Sequence, residues 1–479
     1  MRQVATGRRT RTNAQRETRS IRIGTPPSVM PSAALDVSLI PGLPLVCCRK
    51  GESMPYWDNR PVSASNIRLY VPRSGWRQAT DEPPVADGGQ PKTGAAAGIS
   101  SALLNVLNAT NVVVLTGTGS SFAAVNPPEG LAPAGMWEVW EAVRAATGDE
   151  DFNAVVATFG EARIGQNIEK LLSMCRLYLE LTQVAPQGQQ NEERQRVAAF
   201  AAGAETAILR RVDFVNAATN LDAHSALVQK IGRRGARKPR AKLFTTNYDL
   251  CFEEVARRSR FMLIDGFSHT LQQTYDRLNF GLDVVRRDGG RDSPDYVQNA
   301  LQFYKLHGSI DWRRDGGEIL RTRERIGSPV LIYPRSSKYQ ESFEAPYLDM
   351  LSSFQSALRE PDTALLVSGF GFNDDHISSP IMSAVESNMS LRLVICDPAF
   401  LGSDVLETGA HELPAGELPE NRFIASFRAL ADAGDARIHL MNGRFQDLTS
   451  ALPDLIGEDD RERHVQRMRS LRDAAGANQ

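Results

Sequence analysis

Five short apolar runs in this chain break off abruptly into glycine or a polar cluster, and that recurrence limits the folds open to it. The clearest is Asn111–Phe122, where Asn-Val-Val-Val-Leu passes directly into Thr-Gly-Thr-Gly-Ser-Ser-Phe. A continuous apolar run of this length, closed by glycine, fits a strand buried on both faces of a parallel sheet. Gly117 and Gly119 would let the backbone turn sharply and approach a ligand without interference from a Cβ. A helix opening there would aim its free N–H groups and positive dipole end at a phosphate. Phe122 stands where a GxGxxG fingerprint has its third glycine, so a plain tight turn is the competing reading.

The other runs behave alike. Lys242–Thr246 ends in Asn247-Tyr248-Asp249, Tyr304–Leu306 in His307-Gly308, Ala364–Ser368 in Gly369-Phe370-Gly371, and Leu391–Cys396 in Asp397-Pro398. Further strands are expected at Pro329–Tyr333 and Arg437–Met441. Helical patterns at Leu250–Arg258, Tyr347–Leu358, Ile377–Asn388 and Asp447–Ile456 alternate with them. Such alternation implies an α/β, Rossmann-like parallel sheet with right-handed crossovers and helices on both faces. Ligands bind such sheets outside the carboxyl ends of the strands, so the five polar ends could face one crevice. Each also has a local explanation. Asn247 and Asp249 could cap the helix after them, His307 could be a satisfied buried histidine, and Asp397-Pro398 could be a turn. Their co-occurrence at strand ends is what these explanations leave over.

Between the first two runs the chain is helical for almost a hundred residues. Met136–Trp140 opens one helix, Ile168–Leu181 is strongly amphipathic, and Val197–Phe214 follows the polar Pro186–Gln195 stretch. This predicts a helical module, residues 135–232, inserted after the first strand–loop–helix unit, its Met, Trp and Leu stripe serving as core. Residues 98–456 then form the main domain, beginning with a helix at Gly98–Ala109. Residues 1–97 read as a partly disordered extension holding one half-buried strand (Asn66–Val71) and a Pro- and Gly-rich linker (Asp81–Ala97), and residues 457–479 as a tail.

With a net charge of −2 over 479 residues, nothing pulls the whole chain toward nucleic acid or anionic membrane. Charge is uneven, however. Seven arginines against Glu17 in the first 22 residues suggest a disordered arm, with a transit peptide or an over-extended start as alternatives. Seven basic residues in Lys230–Lys242 suit either a phosphate or nucleic-acid contact or a solvated loop at a helix C-terminus. The absence of interleaved aromatics favours the loop. No apolar run is long enough to span a bilayer, and no membrane partner is expected. Five cysteines (Cys47, Cys48, Cys175, Cys251, Cys396) form neither a disulfide framework nor a paired Cys-x-x-Cys. The expectation is a cytoplasmic protein without zinc or another metal site.

Thr-Gly-Thr-Gly-Ser-Ser (116–121), Thr-Thr-Asn-Tyr-Asp (245–249), Leu-His-Gly-Ser-Ile-Asp-Trp (306–312) and Ser-Gly-Phe-Gly-Phe-Asn-Asp (368–374) together resemble the sirtuin-like (silent information regulator-like) family. The likeness is in particular to its bacterial antiphage-defence branch of NAD-hydrolysing proteins. It covers roughly residues 98–456 in the same motif order, with the helical module where that family places its insertion. Two departures stand out. Where protein-deacylating sirtuins follow the glycine loop with Gly-Ile-Pro-Asp-Phe-Arg, this chain reads Phe-Ala-Ala-Val-Asn-Pro-Pro. Their zinc module of paired cysteines has no counterpart either.

The resemblance implies that NAD is the substrate, cleaved to ADP-ribose and nicotinamide so as to deplete the cofactor in abortive infection. By the same resemblance, Asn247 holds the ribose and the water, His307 acts as base, and Asp249 supports the loop or adds negative potential near the developing cation. Gly117, Gly119 and Ser120 cradle the pyrophosphate, Ser121, Gly308 and Gly369 join the NAD-binding set, and Asp397 accepts from the adenosine ribose hydroxyls. Relatives act as homo-oligomers or with a second defence protein such as a HerA-type ATPase. The alternatives are an NAD-dependent protein deacylase and a non-enzymatic module binding NAD or ADP-ribose. A pure binder has no need of both Asn247 and His307.

Overall fold

The computed structural model describes residues 55–58, 60–80, 94–182, 190–234, 238–287, 295–331, 345–408 and 421–455. The arginine-rich start, Cys47 and Cys48, most of the Asp81–Ala97 linker, residues 235–237 of the basic run and the 457–479 tail lie outside the described residues.

Nine strands form the central sheet. Their order is Gly75–Gln78, Arg68–Val71, Ile438–Asn442, Arg392–Cys396, Thr363–Ser368, Asn111–Thr116, Lys242–Thr245, Ala300–Lys305, Met262–Ile264. The seven from Ile438–Asn442 to Met262–Ile264 are parallel. Arg68–Val71 adds to them antiparallel and folds back through Gly75–Gln78, so the strand expected in the extension belongs to the sheet.

Asn111–Thr116 and Thr363–Ser368 are buried at every position, as the unbroken apolar run requires. Because side chains alternate along a strand, Val113, Leu115, Leu365 and Val367 enter one core with Phe354 and Ile381. Val112, Val114, Ala364 and Leu366 enter the other, with Leu103, Val228 and Leu448. Helices Tyr347–Arg359 and Asp375–Ser387 therefore cover one face; Ala96–Asn108, Asp222–Gly232 and Phe445–Ala451 cover the other. The α/β, Rossmann-like fold with helices on both faces is what the alternation predicts.

Helices Met136–Thr147, Asp149–Phe159, Ile168–Leu181 and Gln190–Val212 share a separate core around Trp140, Phe152, Leu171 and Phe200. Ile310 and Leu331 are part of that core, and Tyr248 and Leu250 pack against it. The module thus lies against the loop that carries Asn247. Asp222–Gly232 packs on the sheet instead, through Leu227, Val228 and Ile231.

A second, antiparallel sheet has no counterpart in the sequence reading. It comprises Ser328–Leu331, Gly308–Asp315, Glu318–Arg321 and Gln273–Thr274. Its hairpin pairs Asp315 with Glu318 across Gly316 and Gly317, both at positive φ (55° and 89°), as a type I′ turn demands. The run at Pro329, expected in the parallel sheet, pairs here.

Candidate active site at the carboxyl edge of the sheet

Thr116 lies opposite Ser368, so the glycine loop (117–121) and the Gly369 loop (369–374) leave the sheet side by side. The Gly119 N–H donates to the Gly369 carbonyl at 2.9 Å. A Cβ on Gly119 would come within 2.6 Å of the Gly369 Cα, and one on Gly117 within 2.6 Å of the Gly369 carbonyl oxygen. Gly369 itself has φ +69°, and its Cβ would meet the Ser120 nitrogen at 2.5 Å. The glycines thus let two loops touch backbone to backbone, a use distinct from the expected approach to pyrophosphate. Gly119→Ala and Gly369→Ala should each lower stability by about 1–3 kcal/mol, the usual cost of overpacking. Denaturant titration checks this, and parent-like midpoints for both would refute the packing account.

Asn247 is buried where this loop pair meets the end of Lys242–Thr245. Its amide nitrogen donates to the Gly117 carbonyl (2.9 Å), Ser120 Oγ (3.1 Å) and Ser121 Oγ (2.8 Å). Both hydroxyls spend their own protons elsewhere, Ser120 on the Gly117 carbonyl and Ser121 on Asp249 Oδ2 at 2.5 Å. They can only accept from Asn247, which fixes the amide orientation. Asn247 Oδ1 is left buried with no hydrogen-bond partner among the described residues. The second Asp249 oxygen accepts from the Cys251 N–H at 3.0 Å. Asp249 therefore ties the glycine loop to the Asn247 loop and to the start of the following helix.

His307, also buried, follows the Ala300–Lys305 strand. Its Nε2 lies 3.0 Å from Asp374 Oδ2. Asp374 closes the Gly369 loop and caps the next helix through the His376 N–H. Burial pulls the imidazole pKa down, but the Asp374 hydrogen bond and the charges of Asp374 and Glu169 outweigh it, for a net rise above the ordinary value. Asp374 moves the other way: burial raises its carboxyl, while the His307 contact and the His376 N–H bring it below the usual range.

Glu169 arrives from the helical module. Asn167 caps the Ile168–Leu181 helix through the Lys170 N–H, which sets Glu169 in its first turn. Tyr248 donates its hydroxyl to Glu169 Oε1 at 2.8 Å, and the Tyr248 ring centroid is 6.3 Å from that of His307. Burial raises the Glu169 carboxyl against the opposing effects of His307 and Tyr248.

Lys305 anchors the loop from below. Its fully buried ammonium pairs with Glu253 (2.9 Å), donates to Ser309 Oγ (3.0 Å) and also reaches the Tyr248 and Asp249 carbonyls. Behind Asp249 sits His224, packed on Phe252 and Phe445, with both ring nitrogens lacking partners among the described residues. Burial lowers its pKa to about 4, against the pull of Asp249.

Direct contacts therefore bring together Gly117, Gly119, Ser120, Ser121, Asn247, Asp249 and Gly369, and Asp374 joins His307 to the Gly369 loop. Gly308 is placed differently. At φ +85°, its Cβ would run into the Val330 carbonyl of the second sheet, so strand pairing accounts for the glycine. Asp397 follows the next strand over, accepts from the Ala399 N–H at 2.8 Å, and makes no hydrogen bond through its side chain to the other members. Burial pushes its carboxyl up to about 6.

Among the described residues, no group of three His, Cys, Asp or Glu is arranged to hold a metal. No described helix is long and apolar enough to cross a membrane. Asp374, Glu169, Tyr248 and Lys305 are the participants that the sequence reading does not assign.

No curated protein matches the chain. A family model does, and its span takes in Asn247, Asp249, Lys305, His307, the Gly369 loop and Asp397. SIR2-like domains use NAD. The matching model is that of the SIR2-like domain, over residues 241–401, so that segment is similar to a SIR2-like domain.

Proposed function

We propose that the protein hydrolyses NAD to ADP-ribose and nicotinamide. The observation that carries this reading is the buried, unpartnered Oδ1 of Asn247, on the same loop system as a histidine oriented by a carboxylate. Nicotinamide is already cationic in NAD and needs no acid to leave, so the work is to hold the ribose, stabilise the cation at C1′ and deliver water. Asn247 Oδ1 is an acceptor for a ribose hydroxyl or for that water. Neutral His307 removes a proton, and Asp374 stabilises the imidazolium that results. Asp249 and Lys305 hold the loop.

The test is nicotinamide release from NAD by the purified protein without any acyl-lysine peptide. Strict dependence on such a peptide would shift the reading to deacylation, and NAD binding without turnover would shift it to a binding module. We propose in addition the defence role that the resemblance implies, which requires NAD to fall in cells on phage infection with the parent protein and not with Asn247→Ala.

The site also sets a pH dependence. A base must be neutral, and the His307 pKa is raised, so kcat/KM should climb with pH through an inflection above about 6.5. Glu169→Gln and Asp374→Asn each remove a negative charge facing the ring and should move that inflection down. The stability from the His307–Asp374 contact runs the opposite way with pH. The histidine's share is complete below its unfolded value and lost as pH rises through the folded one. An inflection below 6.5 in the parent, or one unmoved in both variants, would remove His307 as the base.

A further inference from the structure

A second polar site lies on the same edge of the sheet, outside the candidate active site. Arg68 begins the antiparallel strand, opposite Asn442 and Gln78. Asn442 in turn donates to the Asp397 and Pro398 carbonyls at 3.1 and 2.9 Å. Arg68 thus stands two strands beyond Asp397, about 10 Å at ordinary strand spacing. Arg68 lines a cavity of about 340 Å³ together with Tyr56, Arg60, Asn66, Gln78 and Glu407.

The Arg68 guanidinium is unusual in its surroundings. The residue is 5% exposed, Nη1 is buried without a hydrogen-bond partner, and Nη2 reaches only the Leu406 carbonyl at 3.5 Å. It forms no ion pair among the described residues. A buried cation without a counter-ion costs several kcal/mol, so a fold that keeps one on a cavity wall has a use for an anion there. Arg60 forms a second cationic wall. Its Nε donates to Asn66 Oδ1 at 3.1 Å and its guanidinium lies 4.2 Å above the Tyr56 ring. The planar guanidinium fork matches two oxygens of one oxyanion. Exposed Glu407 opposes an extended polyanion at the rim, which favours a compact, singly phosphorylated group.

We infer that the cavity between Arg68, Arg60 and Gln78 binds the phosphate of a small phosphorylated molecule. The site is separate from the candidate active site that holds Asn247 and His307, and independent of its chemistry. Its volume, near the lower bound for ligand pockets, admits more than the phosphate alone.

The test is thermal melting of the full chain in inorganic phosphate or AMP, against chloride at matched ionic strength. Phosphate should raise the parent melting temperature in a saturable way. Arg68→Met, which keeps the volume and removes the charge, should abolish that shift and be no less stable than the parent in chloride. Arg60→Gln, on the more exposed wall, should weaken the apparent affinity about tenfold and stays informative if Arg68→Met fails to fold. Tighter binding of AMP than of phosphate would identify an organic phosphate as the occupant; equal binding would identify free phosphate. A parent unmoved by both, or an Arg68→Met or Arg60→Gln protein that responds as the parent does, overturns the assignment.

Discussion

Asn247→Ala is expected to reduce nicotinamide release by about 10²–10³-fold while NAD affinity stays within about tenfold, the two effects separating because the residue positions reactants more than it holds the dinucleotide. The amide NH₂ is committed to the Gly117 carbonyl and two serine hydroxyls, so only Oδ1 is available to a ligand. Alanine removes that acceptor along with the two amide hydrogens shared among the Gly117 carbonyl and the two serine hydroxyls. The dinucleotide contacts that the resemblance implies at the glycine loop would lie on backbone that the Gly119–Gly369 hydrogen bond still holds. Asn247→Asp should be worse than alanine. It would set a carboxylate against the Gly117 carbonyl, where a donor is needed. His307→Ala should lose about 10²–10⁴-fold, the usual cost of one general base, and Asp374→Asn should fall between it and the parent. Calorimetric NAD binding beside nicotinamide release separates chemistry from affinity. Parent rates in both Asn247→Ala and His307→Ala would show that the site is misplaced.

The sheet is legible because burial on both faces leaves an unmistakable trace: Val112–Leu115 and Ala364–Val367 carry no polar residue. Strand ends in a parallel sheet share one edge by topology, so the grouping of Gly117, Asn247 and Gly369 follows from the strands alone. The contacts that make a site of the edge leave much weaker traces. Asp374 lies within a motif quoted for the resemblance, yet its pairing with His307 depends on where a loop with φ +69° at Gly369 directs the chain. Glu169 sits in the first turn of an amphipathic helix, and periodicity marks the core-facing stripe without showing which polar residue overhangs a neighbouring loop. Lys305 falls inside the short run Tyr304–Leu306, where nothing in the sequence marks its burial, since lysine is almost never fully buried unless paired. The second sheet did have a signal, the Asp-Gly-Gly at 315–317 between two runs of strand-forming residues. It is easily lost because Gly308–Asp315 carries two arginines and two aspartates, which mask the alternation.

Lys305→Met should cost about 3–5 kcal/mol of stability, the loss typical when one partner of a buried ion pair is removed. The ammonium is 1% exposed and its partner Glu253 is 18% exposed, so solvent screens the pair little. Without Lys305, Glu253 can only protonate. Burial already raises its carboxyl pKa despite the lysine, and losing the lysine raises it further. A folded-state value above the unfolded one means that stability is complete below about pH 4.3 and lost as pH rises through the folded value. The deficit of Lys305→Met should therefore be larger at pH 8 than at pH 5. The double variant Lys305→Met/Glu253→Leu should recover most of the stability, because replacing a whole buried pair by apolar side chains is often neutral or better. It should not recover full activity. The Tyr248 and Asp249 carbonyls, which flank the Asn247 loop, would still lack the donor that Lys305 supplies. A double variant with parental stability and parental nicotinamide release would show that Lys305 answers only to Glu253 and has no part in holding Asn247. A single variant as stable as the parent at pH 8 would show that the buried charge is not paired as described.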